Sequence, residues 1–321
     1  MNQTVLVTGA QGCLGAWLVR ALLERGDRPV VYDLETEPRR LLQVLEPGDL
    51  EGVVFVQGDV TDREGLRRAL EEQEAGALVH LAGLQVPFCR ADPPRGARVN
   101  VEGTLCVFEA ASRAGLGRVV YASSAAVYGP DPGRPVREED AGSPGTHYGV
   151  FKRANEENAR IWWETEGLSS AGLRPLTVYG PGRDQGLTSG PTRALKAALL
   201  GRPFTIAFTG QTDFLHAADA AAGFLAALEA PAGARVYNLH GETRPVEDVV
   251  AWIEKALPEA RGRVRCEGDP LPIAPELDGG RILEDLGWRA TLSLEEGLRL
   301  TLERFRELRA AGRLATHDLE P

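Results

Sequence analysis

The chain is poor in the residues that build metal centres and disulfides. Its four cysteines, Cys13, Cys89, Cys106 and Cys266, are scattered over 321 residues without ligand spacing. Reduced thiols packed as small apolar groups are therefore expected. His80, His147, His216, His240 and His317 form no paired motif, so no metal is expected either. No run of about 18 apolar residues occurs, which excludes a membrane-spanning helix at the level of sequence. No charged-then-apolar leader precedes the strand expected at residue 4, so the expected location is cytoplasmic. There is no basic run and the formal net charge is -10, which argues against nucleic acid and anionic membrane as partners. Lysine is scarce as well: of 36 basic residues only Lys152, Lys196 and Lys255 are not arginine.

What is present reads as an α/β protein. Hydrophobic residues make up 43% of the chain, ample for a substantial core. Thr4-Val5-Leu6-Val7-Thr8 is a buried-strand pattern that leads into Gly9-Ala10-Gln11-Gly12-Cys13-Leu14-Gly15. A helical pattern follows, with Trp17, Leu18, Ala21 and Leu22 on its apolar face and Gly26 at its expected stop. Val30-Val31-Tyr32-Asp33 is a second strand, ending in an acid 18 residues after Gly15. Glycines at this spacing allow a tight turn and close backbone approach, the helix amino end attracts a pyrophosphate, and the acid accepts from the adenosine ribose. A carboxylate at Asp33 repels a 2′-phosphate, so NAD is expected over NADP. Arg39 and Arg40 lie close by but read as solvated surface beside Glu35 and Glu37.

Further strands are expected at 53–56, 77–81 and 118–122, separated by helical stretches, the pattern of a doubly wound parallel sheet. Asp59 and Val60 follow the third strand, and Leu81, Ala82 and Gly83 close the fourth, where open α/β sheets bind ligands. Asn100 is expected to open a helix, and the fifth strand runs into Ser123-Ser124-Ala125. The most informative pair is Tyr148 and Lys152, four apart and so on one helix face. A nearby ammonium favours the phenolate, so Lys152 is expected to make Tyr148 a better general base. His147, beside Tyr148, is a candidate substrate contact.

These motifs together resemble the extended short-chain dehydrogenases/reductases, also called the NAD-dependent epimerase/dehydratase family. The resemblance rests on Gly9-x-x-Gly12-x-x-Gly15, Asp33, Gly58-Asp59, Asn100 with Gly103-Thr104, Ser123-Ser124-x-x-Val127-Tyr128-Gly129, Tyr148-x-x-x-Lys152, Arg174-x-x-x-Val178-Tyr179-Gly180-Pro181-Gly182 and Leu286-Gly287-Trp288, all in family order. It implies a Rossmann-type fold with a smaller carboxyl-terminal substrate lobe. The NAD-binding domain is expected at 1–172 and the substrate region at 173–321, with segments near 173–180 and 203–240 interleaved with the sheet. The resemblance implies Tyr148 as catalytic acid/base, Ser124 as the hydroxyl that holds the reacting oxygen, and Lys152 on the nicotinamide ribose. Cys13, Leu14 and Asn100 join the glycines, Asp33, Asp59 and Val60 as cofactor contacts. A homodimer paired through the helices after strands four and five is also implied.

The substrate lobe departs from the family's nucleotide-sugar members. Thr212-Asp213-Phe214 stands where those members carry Arg-Asp-Phe or Arg-Asp-Tyr, Thr177 where they often carry asparagine, and Cys266 or Glu267 where an arginine precedes Gly-Asp. Losing these donors weakens a diphosphate site by several kcal/mol, at roughly 1.5–3 kcal/mol per charged hydrogen bond. Gln85, Arg174 and Arg183 offer polar groups for a sugar or a carboxylate, with Ala125, Thr177 and Thr212 near the same pocket. Arg174 reads equally as a structural residue. The expected activity is NAD-dependent oxidation of a secondary hydroxyl of a free sugar, sugar acid or polyol. The alternatives are a nucleotide-sugar epimerase with tightly bound NAD and a non-catalytic NAD sensor. At the carboxyl end, Ser293 to Glu296 has capping-box spacing, and the tail from Gly312 is expected to be loose.

Overall fold

The computed structural model describes residues 3–320. Thr4–Thr8 (β1), Arg28–Asp33 (β2), Val54–Gln57 (β3), Ala77–His80 (β4), Arg118–Ala122 (β5), Ser169–Arg174 (β6) and Ala234–Asn238 (β7) form one sheet. Every neighbouring pair is parallel and the order is β7-β6-β5-β4-β1-β2-β3. Alternation along the strands builds two cores. Val5, Val7, Val31, Val79 and Val120 face one side, where Cys13–Arg25 (α1) and Ala217–Ala226 pack. Leu6, Val30, Leu78, Val119 and Tyr121 face the other, covered by Arg63–Glu72, Gly103–Arg113 and His147–Glu166. Burial on both faces is why these strands read as continuous apolar runs. The order reverses beside β1, which has β2 on one side and β4 on the other, and this opens a crevice at the strand carboxyl ends.

Local signals act as the residues dictate. Gly26 ends α1 at φ 83°, its N–H bonding the carbonyls of Leu22 and Leu23. Ser293 and Glu296 form the reciprocal capping box of the Leu294–Ala310 helix. That helix packs Leu298, Leu302 and Phe305 into a third core with Leu195, Ile206, Phe214 and Ile253. The second lobe is threaded through the first. β6 runs across position 172, β7 returns from residue 234 to the main sheet, and the Ala217–Ala226 helix lies against α1.

Two local expectations are corrected. Asn100 does not open a helix: helical turns already begin at Pro93, and Asn100 sits in a π-turn over Arg98–Glu102. Its side-chain N–H groups donate to the carbonyls of Gly96 and Leu84, both at 3.1 Å, supplying bonds within the widened turn. The tail is docked. Asp318 is buried and pairs with Lys196 at 2.9 Å, while Ala315 N–H donates to the Gln43 side chain. Among the described residues no helix is long and apolar enough to cross a membrane.

Candidate active site

A cleft of about 450 Å³ runs along the carboxyl ends of the central strands and beneath the loop at 180–188. Its floor is the glycine turn. Gly9 has φ +69°, and a Cβ there would stand 2.5 Å from the Ala82 nitrogen; a Cβ on Gly15 would stand 2.4 Å from Ala10 Cα. These positions hold the start of α1 against the ends of β1 and β4. Gly12 caps α1 without a side chain, leaving the first-turn N–H groups of Cys13, Leu14 and Gly15 for an anion.

Asp33 ends β2 on the cleft wall. Its carboxylate accepts from the backbone N–H of Gln11 at 2.9 Å and of Glu35 at 3.2 Å. Burial nevertheless pushes its pKa above the ordinary aspartate range, the two N–H groups opposing that shift. Asp59 spends one oxygen on Thr61, N–H at 2.8 Å and hydroxyl at 2.9 Å. Val60, Leu81, Ala82 and Gly83 line the same wall. Asn100 lies behind it rather than in the cleft. Its Oδ1 is buried without a partner, 2.6 Å from where a Cβ on Gly83 would stand. The cradle, the acid and the open helix start fit a dinucleotide.

Ser124, Tyr148 and Lys152 meet at the inner end. Thr146 accepts from Gly149 N–H at 3.0 Å, which starts the His147–Glu166 helix and aims Tyr148 at the β5 end. The Ser124 hydroxyl lies against the phenol and, with the positive charge of Arg183, favours its ionised form. Lys152 is 4% exposed; its ammonium donates to the Ala122 carbonyl at 2.6 Å and stands 5.6 Å from the Tyr148 ring centroid. Burial lowers the Lys152 pKa to about 8. The expectation that Lys152 makes this phenol acidic is corrected for the free protein. Burial raises the Tyr148 pKa, and the ammonium sits over the ring with a hydrogen committed to a carbonyl.

Of the expected substrate contacts, Gln85, Ala125 and Arg183 line the cleft. The others do not. Arg174 is 1% exposed, its guanidinium consumed by both oxygens of Glu156 at 2.7 Å, by the Tyr128 hydroxyl and by the Glu138 carbonyl. Thr177 and Thr212 are fully buried and hydrogen-bond each other at 2.7 Å. His147 is exposed and stacks on Phe151, because it occupies the solvent side of the first turn. Sequence reasoning missed Arg40, which is no solvated surface residue: it pairs with Asp184 at 2.8 Å and lines the cleft. It also missed Leu176 and the Leu271–Ile273 wall, where no motif marks the positions, and did not place Val178 in the cleft although a motif contains it.

A model of the NAD dependent epimerase/dehydratase family matches residues 5–239. A UDP-glucose 4-epimerase of Mycolicibacterium smegmatis is 32% identical over 312 residues, covering 94% of this chain and 98% of the relative. Two solved structures superpose over almost the whole chain. UDP-glucose 4-epimerase of Thermotoga maritima, with UDP-glucose, is 25% identical at TM-score 0.84, covering 96% of this chain and 100% of the other. UDP-glucose 4-epimerase of Thermus thermophilus, in complex with NAD, is 28% identical at TM-score 0.82, covering 95% and 99%.

Proposed function

The chain belongs to the NAD-dependent epimerase/dehydratase family, and on that premise we propose that it oxidises a secondary hydroxyl of a small sugar-like substrate and releases NADH. When bound, NAD supplies the hydride acceptor. The glycine turn and the start of α1 would hold its pyrophosphate, Asp33 its adenosine ribose, and Lys152 its nicotinamide ribose. Ser124 donates to the reacting oxygen and fixes it. Tyr148 takes the hydroxyl proton as the carbonyl forms. The raised pKa of the phenol means that oxidation accelerates as pH rises toward the tyrosine range.

The carrying observation is the Thr177–Thr212 pair. Both positions that provide polar donors in nucleotide-sugar members are turned inward here and satisfied by each other. Among the described residues the cations lining the cleft are Arg40, Lys152 and Arg183, and Arg40 is committed to Asp184. That set leaves little to hold a nucleoside diphosphate beside a dinucleotide.

UDP-sugar 4-epimerisation is the second reading, favoured by the names of relatives at 32% identity over nearly full length. Incubation with NAD and a panel of free sugars, sugar acids and polyols, followed by absorbance of reduced cofactor, separates the two. Free NADH supports the dehydrogenase; interconversion of UDP-glucose and UDP-galactose without free NADH overturns it. Pairing of two copies through Gly103–Arg113 and His147–Glu166 is supported by the exposure of Leu105, Val150 and Ile161 on those helices.

A further inference from the structure

We propose that Arg183, Gln85 and Thr188 form a carboxylate-binding corner, so that the substrate is a small hydroxy acid or sugar acid carrying one negative charge. The inference rests on the dehydrogenase reading for the identity of the cleft.

The corner is built by a glycine-rich loop. Gly182, at φ +85°, brings the loop over the start of α1, and a Cβ there would stand 3.9 Å from Cys13 Cα. The next residue, Arg183, donates through Nη2 to the Thr188 hydroxyl at 3.1 Å, while its Nε is buried without a partner. Gln85 Oε1, arriving from the end of β4, is likewise buried and unpartnered. The two heads converge on Gly186. A Cβ there would lie 2.1 Å from Gln85 Oε1 and 3.3 Å from Arg183 Nη2, and φ is +98°, so only glycine lets the two heads pack this closely against the loop.

Charge identifies the occupant. Asp184 does not neutralise its neighbour, because Arg40 holds it at 2.8 Å and His317 Nε2 lies 3.6 Å from its other oxygen. Among the described residues Arg183 has no carboxylate partner. A half-buried guanidinium with an idle N–H is a cost that one planar anion removes. Lys152, the remaining cation of the cleft, is held at the catalytic ring by the Ala122 carbonyl. One spare guanidinium matches one carboxylate and leaves a diphosphate half-matched. The unpartnered Gln85 oxygen accepts from a hydroxyl beside that carboxylate. Arg183 is also close enough for its charge to act on the Tyr148 phenol, which puts the acid group near the carbinol being oxidised.

The test pairs galacturonate, gluconate and glycerate with their uncharged counterparts galactose, sorbitol and glycerol. Each is titrated calorimetrically into enzyme saturated with NADH, and each is assayed for NAD reduction, in wild type, Arg183→Gln and Arg183→Lys. At least one acid is expected to bind the wild-type complex about tenfold or more tighter than its neutral partner, the scale of a charged hydrogen bond. Arg183→Gln should erase that preference and Arg183→Lys keep part of it. NAD affinity, measured on the same variants, controls for folding. The proposal is overturned if no acid is preferred, or if Arg183→Gln weakens NAD binding and leaves the acid preference intact, which would assign the guanidinium to the pyrophosphate. Selective acid binding with no NADH from any compound would keep the corner and remove the dehydrogenase reading.

Discussion

The ammonium of Lys152 stands over the aromatic ring of Tyr148, 5.6 Å from its centroid, and gives a hydrogen bond to Ala122 rather than to the phenolic oxygen. The two side chains share a helix face, yet in the free protein the lysine packs against the ring, and what favours the ionised phenol comes from Ser124 and the charge of Arg183. Oxidised nicotinamide, when bound, would supply positive charge that favours the phenolate and opposes the effect of burial.

Tyr148→Phe is expected to reduce kcat by about 10²–10⁴, the range of a lost general base, while the dissociation constant for NAD stays near wild type. Steady-state kinetics and calorimetry on one preparation check both. Turnover close to wild type would remove Tyr148 from the role.

Lys152 has a folded pKa of about 8 against an ordinary 10.5, so between those values the unfolded chain holds a proton that the folded chain has released. Stability then rises with pH across that window. Relative to Lys152→Met, wild type should gain roughly 3 kcal/mol between neutral pH and the upper end of the window. Urea melts at stepped pH measure it; a difference that is flat with pH, or that falls, contradicts the assigned burial.

Asp33→Asn is expected to weaken NAD by about tenfold or more, the scale of a charged hydrogen bond, and to narrow the preference over NADP by removing the repelling charge. The ratio of the two dissociation constants is the readout. An unchanged ratio would mean that Asp33 does not face the ribose.

Glu156→Gln should destabilise the fold by roughly 3–5 kcal/mol, because it strands the Arg174 guanidinium in a site 1% exposed. Adding Arg174→Met should restore much of the loss. If Arg174→Met instead raises KM while stability holds, the buried arginine is a substrate contact after all.

The sheet and the dinucleotide half of the cleft were legible because each depends on local pattern. Thr4–Thr8 and Arg118–Ala122 are strands as read, and Gly9, Gly15 and Gly26 stand where backbone geometry demands glycine. The substrate half was legible only in part: Gln85 and Arg183 were read, but Leu176 and Ile273, which no periodicity connects to them, were not. Thr212 was misplaced, and Arg174 left open between pocket and structure, for one reason: a motif gives a residue its address along the chain, whereas the partners that turn it inward, Thr177 and Glu156, lie 35 and 18 residues away. The docked tail escaped notice because its anchor, Lys196 to Asp318, joins positions 122 apart.

The Thr177–Thr212 contact also bears on how specificity drifts among such enzymes. Each hydroxyl answers the other in a space without solvent, so a lone arginine at 212 would enter a sealed site and orphan the threonine it leaves behind. Passage between substrate classes at this point is therefore an epistatic double step. Libraries that vary 177 and 212 one at a time will score both as intolerant, and the viable exchange will surface only when the two codons change together.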